Sequence, residues 1–166
     1  TGALCYPDYK VNDSKISLMK ADFRIALIDI GDGTTDVVGY FKGRPLKDEK
    51  AGRNFGVSEI HEAVLRFLKT KYIIDKDISV HDIDRHLRED SPIYCSSGNK
   101  TVKVDIRTLP VFKKAVDELF SKAMSIVNDT WSSFGKFDYI VFAGGFMDLV
   151  DVESLIKNNQ IPSEKI

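Results

Sequence analysis

Asp29-Ile30-Gly31-Asp32-Gly33-Thr34-Thr35-Asp36 is the stretch on which the reading of this chain turns. It closes Phe23–Ile30 (FRIALIDI), an apolar, isoleucine-rich run that is too short for a stable helix and reads as a buried strand. It opens Thr35–Phe41 (TDVVGYF), which is β-branched and aromatic and reads as a second strand. Gly31, Asp32 and Gly33 form the tight turn between them. Glycines let the backbone approach a ligand closely and adopt positive φ. Successive N–H groups in such a turn make an anion-binding nest. Thr34 and Thr35 add hydroxyl donors suited to phosphate oxygens. Asp29 ends the buried strand, where a carboxylate beside phosphate is tolerable only with a cation such as Mg²⁺ between them. Asp-Gly hairpins are common without a ligand. Two flanking aspartates and two threonines at fixed spacing favour the phosphate turn over a plain hairpin.

Downstream of this turn, Lys42–Pro45 turns the chain again and a third strand follows through Leu46–Ala51. The connections are too short for parallel crossovers, so the three strands form an antiparallel meander. Gly52–Gly56 closes it, and Ser58 is placed as N-cap of a helix to about Tyr72, with Ile60, Val64, Phe67 and Leu68 on its apolar stripe. Residues 75–108 read as a small insertion, with a short helix around Ile83 and Leu87, a turn at Ser96–Asn99 and an edge strand at Thr101–Ile106. Pro110 suits the first turn of a helix running to about Ser133, with Gly135 as its stop. Phe112, Val116, Leu119, Ala123, Val127 and Thr130 or Trp131 share that helix's apolar face. Asp138–Ala143 (DYIVFA) is a strand ending in Gly144-Gly145, and Phe146–Lys157 a short helix. The expected order is β-β-β-α-insertion-α-β-α, a mixed α/β layer architecture. Residues 1–22 are a polar lead-in.

Composition narrows the function classes. A net charge of −1 over 166 residues gives no bulk attraction to nucleic acid or to an acidic membrane. No apolar run approaches the roughly 18 residues of a membrane span. Cys5 and Cys95 form no CxxC pair, which fits a reducing, cytoplasmic setting. His61, His81 and His86 make no HExxH motif and read as exposed or partly satisfied side chains rather than a metal site. No Gly-Lys-Ser/Thr follows the glycines, so the turn is not of the Walker type. The charges between Asp82 and Asp90 read as a solvated helix face, and Thr1 and Ile166 as the ends of a fragment.

Asp29–Asp36 resembles the second phosphate loop, DxGxGTTD in general form, of the ATPase superfamily of actin, heat-shock chaperones and sugar kinases. Ala143-Gly144-Gly145-Phe146 resembles that superfamily's adenosine loop. The order of the motifs, the meander and the helix after Gly56 look most like the ParM/StbA plasmid-segregation actins. The resemblance implies the second lobe of an actin-like ATPase over residues 23–166, a ribonuclease-H-like domain with a mixed sheet and a small insertion. It implies that Gly31, Gly33, Thr34 and Thr35 hold the ATP phosphates, and that Asp29 is the catalytic residue, orienting Mg²⁺-bound or attacking water. Gly144, Gly145 and Phe146 would lie against the adenosine; packing in the core is the plain alternative for Phe146. Asp32 stands where many relatives carry glycine.

The function implied is Mg-ATP binding between two lobes, with hydrolysis coupled to filament assembly in plasmid segregation. The partners would be further copies of the protein and a DNA-bound adaptor, with no direct contact to nucleic acid. The fragment alone would be a half-site without activity. A small-molecule kinase of the same fold and a non-hydrolysing actin-like scaffold are the alternatives.

Overall fold

Alternation along the first long strand sets the architecture. In the computed structural model, which describes residues 9–11, 14–16, 22–73, 78–151, 154, 155, 157 and 161, β3 (Arg24–Ile30) lies between β4 (Thr35–Phe41) and β8 (Tyr139–Ala143). Ala26, Ile28 and Ile30 join the main core, while Ile25 and Leu27 join a second cluster with Tyr40. Successive side chains of a strand point to opposite faces, so a near-continuous apolar run is what a centrally placed strand needs.

The four-stranded sheet has the order β5-β4-β3-β8, with β5 spanning Arg44–Arg53. β3, β4 and β5 are antiparallel and β8 runs parallel to β3, with Asp29 opposite Ala143. The expected meander is therefore present, and the parallel partner brings the ends of β3 and β8 to one edge. A bulge between Val38 and Tyr40 shifts the β4–β5 register.

Helix α1 (Ser58–Lys71) and helix α3 (Pro110–Trp131) pack on the main-core face. Buried Phe112, Val116, Leu119, Phe120, Ala123, Ile126, Val127 and Trp131 line α3. Each fully buried large apolar side chain contributes about 1.5–3 kcal/mol. Trp131 sits edge-on to Phe137 at 4.7 Å and donates its indole N–H to the Glu49 carbonyl at 3.1 Å, fastening α3 to β5.

Between those helices lie α2 (Val80–Arg88), the hairpin of β6 (Ile93–Ser97) and β7 (Lys100–Val104), and a short 3₁₀ turn at Ile106–Thr108. Ser79 and Asp82 form a reciprocal capping box at the start of α2. Ser91 N–H donates to the His86 carbonyl at 2.9 Å across Asp90, whose φ is 49°, and closes α2.

Several boundaries differ from expectation. Ser58 is the first helical residue and Val57 occupies the cap position; the Ser58 hydroxyl donates to the Asp32 carbonyl at 2.9 Å instead. Ser132, with φ 62°, ends α3, because the chain turns left-handed three residues before Gly135. Gly145–Asp148 is a 3₁₀ turn rather than the start of a continuous helix. The side chain of Asp151 accepts from the Ser154 N–H at 3.4 Å and hydroxyl at 2.6 Å, starting a new helical turn that includes Leu155. Within the lead-in, β1 (Tyr9–Val11) and β2 (Ser14–Ile16) pair antiparallel. The rest of the lead-in up to residue 21 and residues 162–166 lie outside the described residues.

Candidate functional site

The turn after β3 is built as a platform. Gly31 N–H donates to the Thr34 carbonyl at 2.8 Å and closes the bend. The Gly31 and Asp32 carbonyls then accept from Val57 N–H at 3.0 Å and Ser58 N–H at 2.9 Å. The first donors of α1, which no helical carbonyl can satisfy, are thus taken by the turn itself. Gly56 makes the approach possible, since a Cβ there would overlap both carbonyl oxygens. Among the described residues, the N–H groups of Asp32, Gly33 and Thr34 have no protein acceptor. These are the donors a nest requires.

The predicted residues divide. Gly31, Gly33 and Thr34 lie on the turn, with Gly33 and Thr34 exposed. Neither Gly31 nor Gly33 has a positive φ. Their value is the lack of a side chain, and a Cβ on Gly33 would meet nothing within 4 Å. Thr35 is fully buried, and its hydroxyl donates to the Phe55 carbonyl at 3.0 Å. It clamps the turn to the segment before α1 and is not a free phosphate donor. Asp29 is half-buried at the end of β3. Asp32 is exposed, and its carbonyl, rather than its carboxylate, is used in holding α1.

The Gly144 bend stands beside this turn. Gly144 has φ 91°, and a Cβ on it would overlap the Ile30 carbonyl and lie 2.6 Å from Asp29 Oδ1. Only glycine suits both the backbone conformation and the space. Gly145 opens the 3₁₀ turn and lies against the Arg88 guanidinium, whose Nη2 is 3.4 Å from where a Cβ would be. Phe146 is completely buried and stacks on Phe120 at a centroid distance of 6.1 Å. Its ring belongs to the core under α3 and is not available to a base or sugar, which corrects the role the resemblance implies for it.

Charged groups surround the two bends. His61 on α1 is 2 % exposed; its Nε2 lacks a hydrogen-bond partner and lies 3.5 Å from Asp84 Oδ1. Burial pushes its pKa below the ordinary value, against the raising influence of Asp84 and Asp32. The expectation of an exposed or partly satisfied histidine fails here because the helical stripe turns this position inward. Arg88 grips Asp84 with two bonds from Nε, at 2.9 and 3.0 Å, and reaches Asp148 from Nη1 at 2.9 Å. Those hydrogen bonds, first the one to Asp84, raise its pKa further. Asp84 and Arg88 are therefore more than a solvated face. Sequence reasoning missed Gly56, His61, Arg88 and Arg107; the Asp84–Arg88 spacing of four was the visible signal for one of them.

The unpartnered amides of the turn suit an anion such as a phosphate. Among the described residues no cluster of three or more metal-ligating side chains exists. Mg²⁺ bound with phosphates at the turn would meet Asp29 through water.

The fold is shared with actin homologues. MreB5 of Spiroplasma citri bound to ADP superposes with a TM-score of 0.67 at 15% identity, over 87% of this chain and 49% of that one. An archaeal actin homolog, Ta0583, gives 0.63 at 15% identity over 83% of this chain and 40% of that one. A non-polymerisable quadruple mutant of pCBH ParM gives 0.63 at 22% identity over 86% and 42%. The chain thus spans less than half the length of these structures. Residues 24–162 match the Alp7A C-terminal domain, and the chain belongs to that family. A sequence comparison with curated proteins returns no match. No described helix is long and apolar enough to cross a membrane.

Proposed function

We propose that this chain forms one wall of an ATP-binding cleft in an actin-like ATPase, with nucleotide state governing filament assembly, in plasmid segregation. The observation that supports it is the shared position of Asp29 and Gly144 beside a turn whose amides lack acceptors. Gly33 and Thr34 donate to phosphate, Gly31 closes the bend that presents them, and Gly144 and Gly145 lie against the adenosine. Bound Mg²⁺ supplies charge neutralisation at the phosphates. Asp29 orients water at that end of the cleft, and catalysis rests on positioning and preorganised electrostatics. The similarity to MreB5 bound to ADP and to MamK bound to AMPPNP is consistent with a nucleotide. Further copies of the protein are the expected filament partners, and a DNA-bound adaptor the expected link to plasmid.

The test is ATP turnover by a protein carrying both lobes. Asp29→Ala is expected to lower kcat by about 100-fold or more; unchanged turnover refutes the role given to Asp29. Sedimentation with ATP, set against phosphate transfer to sugars, separates the filament from a small-molecule kinase.

A further inference from the structure

The Gly144–Asp148 segment is held from outside the sheet by two arginines. Arg107 Nη1 donates to the Leu149 carbonyl at 2.5 Å, and its Nη2 to the Leu87 carbonyl at 2.8 Å and the Asp148 carbonyl at 3.4 Å. Its Nε lies 3.4 Å from Asp90 Oδ1. One guanidinium thus meets the carbonyl end of α2 and the carbonyl end of the 3₁₀ turn together. Carbonyls at a helix end lack intrahelical donors and carry partial negative charge, so a cation bridging two such ends is doubly favoured. Arg88 makes the second connection, from Asp84 on its own helix to Asp148, with Nη2 beside Gly145. A guanidinium presents its donors in a fixed plane, so partners on two elements fix direction as well as charge.

We infer that Arg88 and Arg107 are positioning residues: they lock the Gly144–Asp148 bend to α2, so that the inserted helix sets the shape of the nucleoside end of the cleft. The nucleoside clause rests on the proposed function; the locking of the bend does not. Neither arginine touches the reacting phosphate in this account. Arg107 acts through the Asp148 and Leu149 carbonyls, and Arg88 through the Asp148 carboxylate. Nucleotide affinity should therefore respond to these arginines while turnover at saturation does not. Arg88 is half-exposed, so its loss should leave the fold intact.

Amide hydrogen exchange at Met147 and Leu149 tests this, because their N–H groups donate to Gly144 and Phe146 within the bend. Arg88→Met and Arg107→Met are expected to speed exchange at these two amides about tenfold or more, with α3 amides unchanged. Arg107→Lys, which keeps the charge at the two carbonyl ends, should restore part of the protection. In the protein carrying both lobes, ADP affinity should fall about tenfold in Arg88→Met, with kcat at saturating ATP preserved. Exchange at wild-type rates in Arg88→Met overturns the inference. Faster exchange with unaltered ADP affinity overturns its nucleoside half. Absence of ADP binding by the unsubstituted protein, with the exchange effect intact, refutes the proposed function and the nucleoside half but not the locking of the bend.

Discussion

Asp29 Oδ1 lies 2.6 Å from the place a Cβ would occupy on Gly144, so the carboxylate ending β3 and the bend ending β8 share one small space. Parallel pairing of Asp29 with Ala143 puts them there. Residues more than a hundred positions apart are thereby joined into one site. Gly144→Ala is expected to cost about 1–3 kcal/mol from its φ of 91° alone, with overlap at the Ile30 carbonyl adding to it. Urea unfolding measures the loss.

Gly56 and Gly33 should behave oppositely. A Cβ on Gly56 meets the backbone oxygens of Gly31 and Asp32, which cannot move without undocking α1 from the turn. Gly56→Ala should destabilise by about 1–3 kcal/mol. Gly33→Ala has open space and no positive φ, so its unfolding free energy should stay within about 0.5 kcal/mol of the parent. Nucleotide affinity should nevertheless drop with Gly33→Ala, since a methyl group would stand over the exposed amides. Paired denaturation and nucleotide titrations of the two variants check both statements.

Glu49 gives stability a dependence on acid pH. It is 16 % exposed at the side chain, bonded to Arg24 and 3.0 Å from Lys136 Nζ. Burial raises its pKa, but the hydrogen bonds and charges of Lys136 and Arg24 outweigh this and hold it below the ordinary 4.5. A carboxyl with a depressed folded pKa stabilises above its unfolded value. That contribution is lost as pH falls from about 4.5 through the folded value. Glu49→Gln should be less stable than the parent at pH 7, and the difference should shrink below pH 4.5. Denaturant midpoints from pH 7 to pH 3 measure this.

His61 acts in a higher window. Its folded pKa lies below 6.5 because it is buried, so the unfolded chain binds the proton more readily. Stability from this group is complete above pH 6.5 and declines as pH falls through 6.5 toward the folded value. His61→Leu should flatten the pH dependence between about 7 and 5. An unaltered slope in that range, measured by urea unfolding, contradicts the assignment.

Much of this architecture is legible locally. FRIALIDI is apolar at every position but Arg24 and Asp29, and a strand with that pattern must be central; the structure makes it so. Pro110 and the apolar spacing from Phe112 to Trp131 define α3 within two residues of its end. The turn after β3 and the Gly144-Gly145 bend were legible from glycine spacing, and their adjacency followed from a parallel pairing that the sequence only implies. What was not legible depends on tertiary neighbours. Thr35 looks like its neighbour Thr34, yet one hydroxyl is buried on the Phe55 carbonyl while the other residue is exposed. Phe146 follows the glycines as a stacking residue would, yet Phe120 of α3 claims its ring in the core. His61, Arg88 and Arg107 matter through partners on other elements, which no local pattern displays.

The most direct test is a titration of the ¹⁵N-labelled chain with Mg-ATP, followed by amide chemical shifts. The largest changes should fall on Asp32, Gly33, Thr34, Gly144 and Gly145, with weak affinity for this wall alone. Shifts concentrated elsewhere, or none at millimolar nucleotide, would contradict the assignment of this turn as the phosphate-binding element.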